Sequence, residues 1–118
     1  MVHDHDDYVE AVLALVEQVP PGRVTTYGAI ADVLGVGGPR QVGAVMRTHG
    51  AAVPWWRVVR ADGTLPPSHD EEAVGAYRFE GTPLLVRPSG GFRIDLRQAG
   101  WWDWVSGAGL PAPTSVDS

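Results

Sequence analysis

The sequence predicts a mainly helical α+β fold: a winged-helix-like domain in which a helix-turn-helix unit precedes a C-terminal β-hairpin. Three observations carry this expectation. Helical periodicity with capping residues recurs through the first half of the chain. A short glycine-bearing turn joins two of the predicted helices. Towards the C-terminus, "TPLLVRPSGGFRIDL" alternates apolar and polar residues about a "PSGG" turn.

The first helix is "DYVEAVLALVEQV", where Val9, Val12, Leu13 and Val16 fall at helical spacing. Asp7 and Glu10 are set as its capping box, and "PPG" stops it. "RVTTYGAIADVLG" reads as a short extended piece and then a second helix, capped by Thr25 or Thr26 and closed by Gly35. "VGG" is a loop, and "PRQVGAVMRTHG" is a third helix with Pro39 in its first turn and Gly50 past its end. After "PWWR", the stretch "RVVRADGTL" predicts a strand ending in an Asp62-Gly63 turn. "SHDE", Ser68 to Glu71, is a capping box that opens a helix to about Phe79. In the hairpin, Phe92, Ile94 and Leu96 share one face. "GWWDW", Gly100 to Trp104, is expected to pack back on the body, and "APTSVDS" to fray. One domain over residues 1–104 and a flexible tail over 105–118 is the expected organisation.

Composition excludes several classes of function. Apolar residues at 44% and charged residues at 19% fit a soluble globular chain and argue against wholesale disorder. No apolar run approaches the roughly 20 residues of a membrane span, and "MVHDHDDYV" has no signal-peptide character, so a cytoplasmic protein with no membrane partner is expected. The absence of cysteine removes disulfides, thiolate metal sites and thiol nucleophiles together. The acidic "HDHDD" run from His3 to Asp7 has nothing to fix ligand geometry, so no metal is expected there, and no cofactor elsewhere. His49 and His69 have no serine or carboxylate at catalytic spacing. "GVGGPR" lacks the lysine of a phosphate-binding loop and is read as a turn.

The net charge of −5 argues against indiscriminate nucleic-acid binding, but the charge is unevenly spread. Between Gly22 and Arg60 stand Arg23, Arg40, Arg47, Arg57 and Arg60 against Asp32 alone. Such a basic segment can meet phosphates while acidic regions face away. All nine basic residues are arginine, for which compositional bias is the plainer cause. In the third helix Gly43, Ala44 and Val45 are small, which suits either close approach by a partner or tight helix packing.

One set of residues is more specific: Tyr27 opening a helix, Arg40 opening the next, Arg47 and His49 ending it, and then "PWWR". With its surroundings, "RVTTYGAIADVLGVGGPRQVGAVMRTH....VPWWRVVRADGTL", it resembles the active-site region of the O6-alkylguanine-DNA alkyltransferases. Those proteins carry a tyrosine-bearing helix, then "RAVGxAM", an asparagine, and "PCHRV". The likeness is close over Pro21 to Leu65 and looser to about Trp104. A chain without the N-terminal domain of many full-length transferases is the expectation.

Within that resemblance the alkyl-accepting cysteine aligns with Trp55, the following histidine with Trp56, and the asparagine with His49. Alkyl transfer needs a thiolate, and an indole is neutral and only a donor, so Trp55 cannot replace it. The cysteine-to-tryptophan change marks the alkyltransferase-like proteins, which this sequence resembles; the second tryptophan, Trp56, departs from their usual polar residue. The resemblance implies a winged-helix-like DNA-binding domain, a monomer, that binds duplex DNA containing O6-alkylguanine without repairing it. Such complexes present the lesion to nucleotide excision repair proteins, so the expected site is cytoplasmic and nucleoid-associated. By the same resemblance Tyr27, Arg40, Gly43, Ala44 and Arg47 contact DNA in the minor groove. Arg40 would fill the stack after base flipping, and Tyr27 would press on the neighbouring phosphate. Trp55, Trp56, Val58, Ser68 and Met46 are expected to line the lesion pocket, with His49 and Arg57 structural beside it. The loop "LPPSHD" lacks the basic residue many members carry there. The competing expectation is a winged-helix transcription regulator of undamaged DNA. A bare interaction module, or a hydrolase working through His49 or Glu80, has less support.

Overall fold

Helix α1 (His5–Gln18) forms because its apolar residues return every three or four positions. Val9, Val12, Leu15 and Val16 are buried, whereas Leu13 is only partly buried. The helix begins two residues before the expected Asp7 cap, so Asp6 and Asp7 lie in its first turn, where the helix dipole favours acidic side chains. The computed structural model describes residues 5–65, 70–88 and 90–104. The expected tail over 105–118, the Ser68 cap, and His3 and Asp4 of the His3–Asp7 run lie outside the described residues. Among the described residues no helix is long and apolar enough to cross a membrane, and no three His, Asp or Glu side chains gather as a metal site.

After a turn at Pro20–Gly22 the chain extends into strand β1 (Thr25–Thr26) and enters α2 (Tyr27–Leu34). Thr26 caps α2 by accepting from the Ala29 amide at 3.1 Å, an interaction worth about 1 kcal/mol. Gly35 closes it in the left-handed region (φ 73°), its amide donating to the Ala31 carbonyl. Gly37 (φ +74°) makes the second bend of the helix-turn-helix; a Cβ there would also stand 2.5 Å from the Tyr8 hydroxyl of α1. Helix α3 (Pro39–His49) follows, with Pro39 at its start and Gly38 as cap. The Gln41 side-chain Oε1 accepts from the Gly38 amide at 2.9 Å.

Beyond α3 the chain makes one 3-10 turn at Gly50–Ala52 and another at Trp55–Arg57, then strand β2 (Val58–Val59). Strand β2 pairs in parallel with β1, Thr25 opposite Val58 and Thr26 opposite Val59. Its two side chains point to opposite faces, as strand geometry requires. Val58 joins the core of α1, α2 and α3; Val59 joins a second core under α4 (Asp70–Glu80) with Leu65, Ala73, Tyr77 and Ile94.

Strands β3 (Leu84–Val86) and β4 (Phe92–Ile94) form the expected antiparallel hairpin, with Leu84 opposite Ile94. Leu96 does not continue the strand. Asp95 ends it by accepting from the Arg97 amide at 3.2 Å and from the Gln98 side-chain amide at 2.7 Å, which caps the short helix α5 (Leu96–Ala99). The chain then returns beside β1, with the Trp101 amide donating to the Val24 carbonyl at 2.8 Å. Trp104 donates its indole N–H to the Leu15 carbonyl at 2.8 Å, which fastens the "GWWDW" segment to α1. The expected mainly helical, winged-helix-like architecture is what the chain adopts, with strands shorter than their sequence patterns.

Candidate nucleic-acid interface

Helix α3 has two faces set by spacing. Val42, Val45 and Met46 turn inward, the two valines fully and Met46 partly buried. Arg40, Gly43, Ala44 and Arg47 stand at positions i, i+3, i+4 and i+7, which share one side of a helix. Arg40 and Arg47 are exposed at its two ends. Between them, a Cβ built on Gly43 would meet nothing within 4 Å. Gly43 is therefore not packed at its Cα against another part of the chain among the described residues. Gly43 and Ala44 form the floor of an open, arginine-flanked face.

Tyr27 opens α2 directly after the Thr26 cap and is partly buried against the helical core. Burial pushes its phenol above the ordinary value of 10.0, and the charge of Arg60 offsets part of that rise. The hydroxyl is thus neutral near pH 7, a donor that carries no charge to repel a phosphate.

The "PWWR" turn is attached to the foot of α3 through Gly50. A Cβ on Gly50 would lie 3.2 Å from Met46 Cε and 3.7 Å from Trp55 Cβ, so Met46, Gly50 and Trp55 sit together. Trp55 and Trp56 meet edge to face, with ring centroids 5.6 Å apart and planes at 84°, a geometry that suits the aromatic quadrupoles.

Behind them the Glu80 carboxylate, at the end of α4, accepts four donors. Oε2 takes Arg57 Nη2 at 2.6 Å and the Trp56 indole N–H at 3.0 Å. Oε1 takes the Gly22 amide at 3.0 Å and Arg57 Nε at 3.2 Å. Arg57 also donates to the Val19 carbonyl at 2.9 Å, and its guanidinium lies 5.6 Å from the Trp56 ring centroid. Tyr77 donates its hydroxyl to the Trp56 carbonyl at 2.5 Å. Burial alone would raise the Glu80 carboxyl. The bonds from Arg57, Gly22 and Trp56, with the Arg57 charge, outweigh burial and hold it below its ordinary 4.5.

These contacts sort the expected site residues. Arg40, Gly43, Ala44 and Arg47 share the outer face of α3, and Met46 and Trp55 meet at its foot. Arg57 is bound within the fold, its side chain 14% exposed. Trp56 directs its polar edge inward to Glu80 and packs on the second core. Val58 requires a correction. Its side chain is 0% exposed because β2 is covered on both faces, so it belongs to the helical core and presents nothing to a ligand. Ser68 lies outside the described residues, and His49 is the exposed last residue of α3. Glu80 carries structural weight that its place in the sequence does not announce. A lone glutamate ending a helix gives no local sign of partners 23 and 58 residues away.

A helix-turn-helix whose second helix exposes a small, arginine-flanked face, followed by a hairpin, has the fold of a winged-helix-like DNA-binding domain. Residues 7–80 match the family described as the DNA-binding domain of 6-O-methylguanine DNA methyltransferase. The chain belongs to that family, as an alkyltransferase-like member with tryptophan at the position of the alkyl-accepting cysteine. It is 35% identical over 99 residues to a DNA base-flipping protein of Vibrio parahaemolyticus serotype O3:K6 (strain AQ3810), covering 81% of this chain and 97% of that one. It is 32% identical over 108 residues to Alkyltransferase-like protein 1 of Schizosaccharomyces pombe, covering 81% and 95%. Among solved structures it matches S. pombe Atl1 in complex with damaged DNA containing O6-carboxymethylguanine. That match has a TM-score of 0.74 and 27% identity, over 84% of this chain and 98% of the other.

Proposed function

We propose that this chain is a non-enzymatic sensor of DNA damage. It binds duplex DNA through the minor groove, rotates an O6-alkylguanine out of the stack, and holds the base against Trp55. The observation that carries this reading is the open Arg40–Gly43–Ala44–Arg47 face of α3 with Trp55 at its foot, in a chain without cysteine. Small side chains let the helix approach a narrow groove, and Arg40 can fill the gap left by the rotated base. Trp55 offers apolar area to an alkyl group and no nucleophile. A relative named as a base-flipping protein and a structural neighbour bound to O6-carboxymethylguanine DNA support the assignment. The protein acts as a cytoplasmic, nucleoid-associated monomer, and the marked lesion passes to nucleotide excision repair.

Titration of one short duplex carrying guanine, O6-methylguanine or larger O6-alkylguanines tests this. Tighter binding to the lesion duplexes is expected, with no labelled methyl group appearing on the protein; equal affinity for guanine and O6-methylguanine would overturn it. A regulator of undamaged DNA is disfavoured by Gln41, the one long uncharged polar side chain at the start of α3, whose oxygen is engaged by the Gly38 amide.

Gly43 separates stability from binding. Nothing among the described residues opposes a methyl group there, and alanine in a helix interior is favoured over glycine by about 1 kcal/mol. Gly43→Ala should therefore raise stability in urea denaturation while binding lesion DNA severalfold more weakly. A variant that gains stability and keeps full affinity would remove Gly43 from the interface.

A further inference from the structure

We propose that Arg60 is a second phosphate-contacting residue, acting with Tyr27 on the backbone of the strand that carries the rotated nucleotide. This rests on the DNA-binding reading above. The parallel register sets Thr26 opposite Val59, so the residues that follow them, Tyr27 and Arg60, leave the ribbon side by side. Thirty-three positions of sequence separate them, and the β1–β2 pairing brings them together.

The Arg60 backbone is held rather than floating. Its amide donates to the Thr64 carbonyl at 2.8 Å, and its carbonyl accepts from the Gly63 amide at 2.8 Å. Gly63 in turn accepts from the Ile94 amide at 2.8 Å, which ties the turn to the hairpin. From this anchored base the side chain is exposed.

The neighbouring arginines differ. Arg23 donates to the Ala99 and Gly100 carbonyls at 3.1 and 2.5 Å, and Arg57 is locked to Glu80 and Val19. Among the described residues no carboxylate closes on Arg60 within ion-pair distance. Asp62, in the same turn, directs Oδ1 to the Thr64 amide and hydroxyl at 3.0 and 2.6 Å. The electrostatic influence of Arg60 on the Tyr27 phenol agrees with their adjacency. A neutral phenol can donate one hydrogen bond to a phosphate but cannot neutralise it. Arg60 supplies the missing charge at the same place.

The experiment is a salt titration of the O6-methylguanine duplex with wild type, R60Q, R60K and R93Q, the last an exposed hairpin arginine as control. One phosphate contact contributes about 0.9 to the slope of log K against log salt, or about eightfold in affinity at ~0.1 M salt. R60Q is expected to lose both, R60K to keep the slope, and R93Q to match wild type. An unchanged slope in R60Q overturns the proposal. So does an equal flattening in R93Q, which would make the effect one of net charge alone. The wild-type preference for lesion over plain duplex is read separately. Its absence would sink the sensor function, while the R60Q slope on plain duplex would still report the contact.

Discussion

Arg40→Ala is expected to weaken binding to an O6-methylguanine duplex by about 30-fold, roughly 2 kcal/mol, while Arg97→Ala leaves it nearly unchanged. Rotating a base out of the stack costs a few kcal/mol, and the protein must offset that with contacts present only in the flipped state. Arg40 is placed for this at the start of α3, exposed and next to the small Gly43–Ala44 floor. Arg97 is equally exposed but lies on α5, whose Leu96 and Ala99 pack in the second core rather than the helical one. Arg40 also works against its own helix, because a cation in the first turn opposes the helix dipole. Arg40→Ala should therefore melt no lower than wild type, which separates a lost contact from a lost fold. Fluorescence anisotropy gives the affinities, and an extrusion-sensitive fluorescent base beside the lesion reports the flip. Equal losses in the two variants would refute the inserted-arginine role.

Glu80→Ala is expected to cost about 3 kcal/mol of folding stability. The Glu80 side chain is 7% exposed and its partner Arg57 14% exposed. Removing the carboxylate leaves the guanidinium and two further donors, the Gly22 amide and the Trp56 indole, without their acceptor. Trp56→Phe deletes one donor and keeps the ion pair, so a smaller loss of about 1 kcal/mol is expected. Denaturant melts give both values; comparable losses would mean that the indole bond, rather than the ion pair, dominates.

The pH dependence has a definite sign. The folded Glu80 carboxyl titrates below its ordinary 4.5, so the unfolded chain takes up its proton first as pH falls. The contribution is fully present above about pH 4.5 and is lost as pH drops through the folded value. The stability gap between wild type and Glu80→Gln should accordingly narrow below that point. A gap that stays constant into acid would show that Glu80 acts through shape alone.

Much of this organisation can be read locally. The α2–α3 unit is written in short-range terms: Thr26 as a cap, Gly35 where φ is positive, Pro39 at a helix start, and valines spaced for one buried face. The face that lies opposite, Arg40 to Arg47, follows from the same 3.6-residue repeat. Where local reading went astray, a longer-range contact intervened. Leu15 rather than Leu13 is the deeply buried leucine of α1, since which apolar residues sink furthest depends on what packs against the helix. Leu96 leaves the strand alternation because the Asp95 side chain finds amide donors just ahead of it. Val58 looked like part of a pocket wall but is core, because β2 is covered from both sides.

The sequence by itself determined the chemistry that is excluded. Without cysteine, and with Trp55 where a thiolate would stand, no alkyl group can be accepted by thiolate chemistry. It also determined the helix-turn-helix, since caps, turns and helical faces depend on neighbours a few residues apart. Only the tertiary structure decided the fate of the five arginines between Gly22 and Arg60. Arg23 and Arg57 are used inside the fold, while Arg40, Arg47 and Arg60 remain exposed. It likewise decided "PWWR": Trp55 stands beside Met46 and Gly50 at the foot of α3, and Trp56 is a strut bonded to Glu80. A guanidinium or an indole looks the same in sequence whether it meets a carboxylate or water. What it meets is set by chain segments tens of residues away, brought together when the two cores close around β1 and β2.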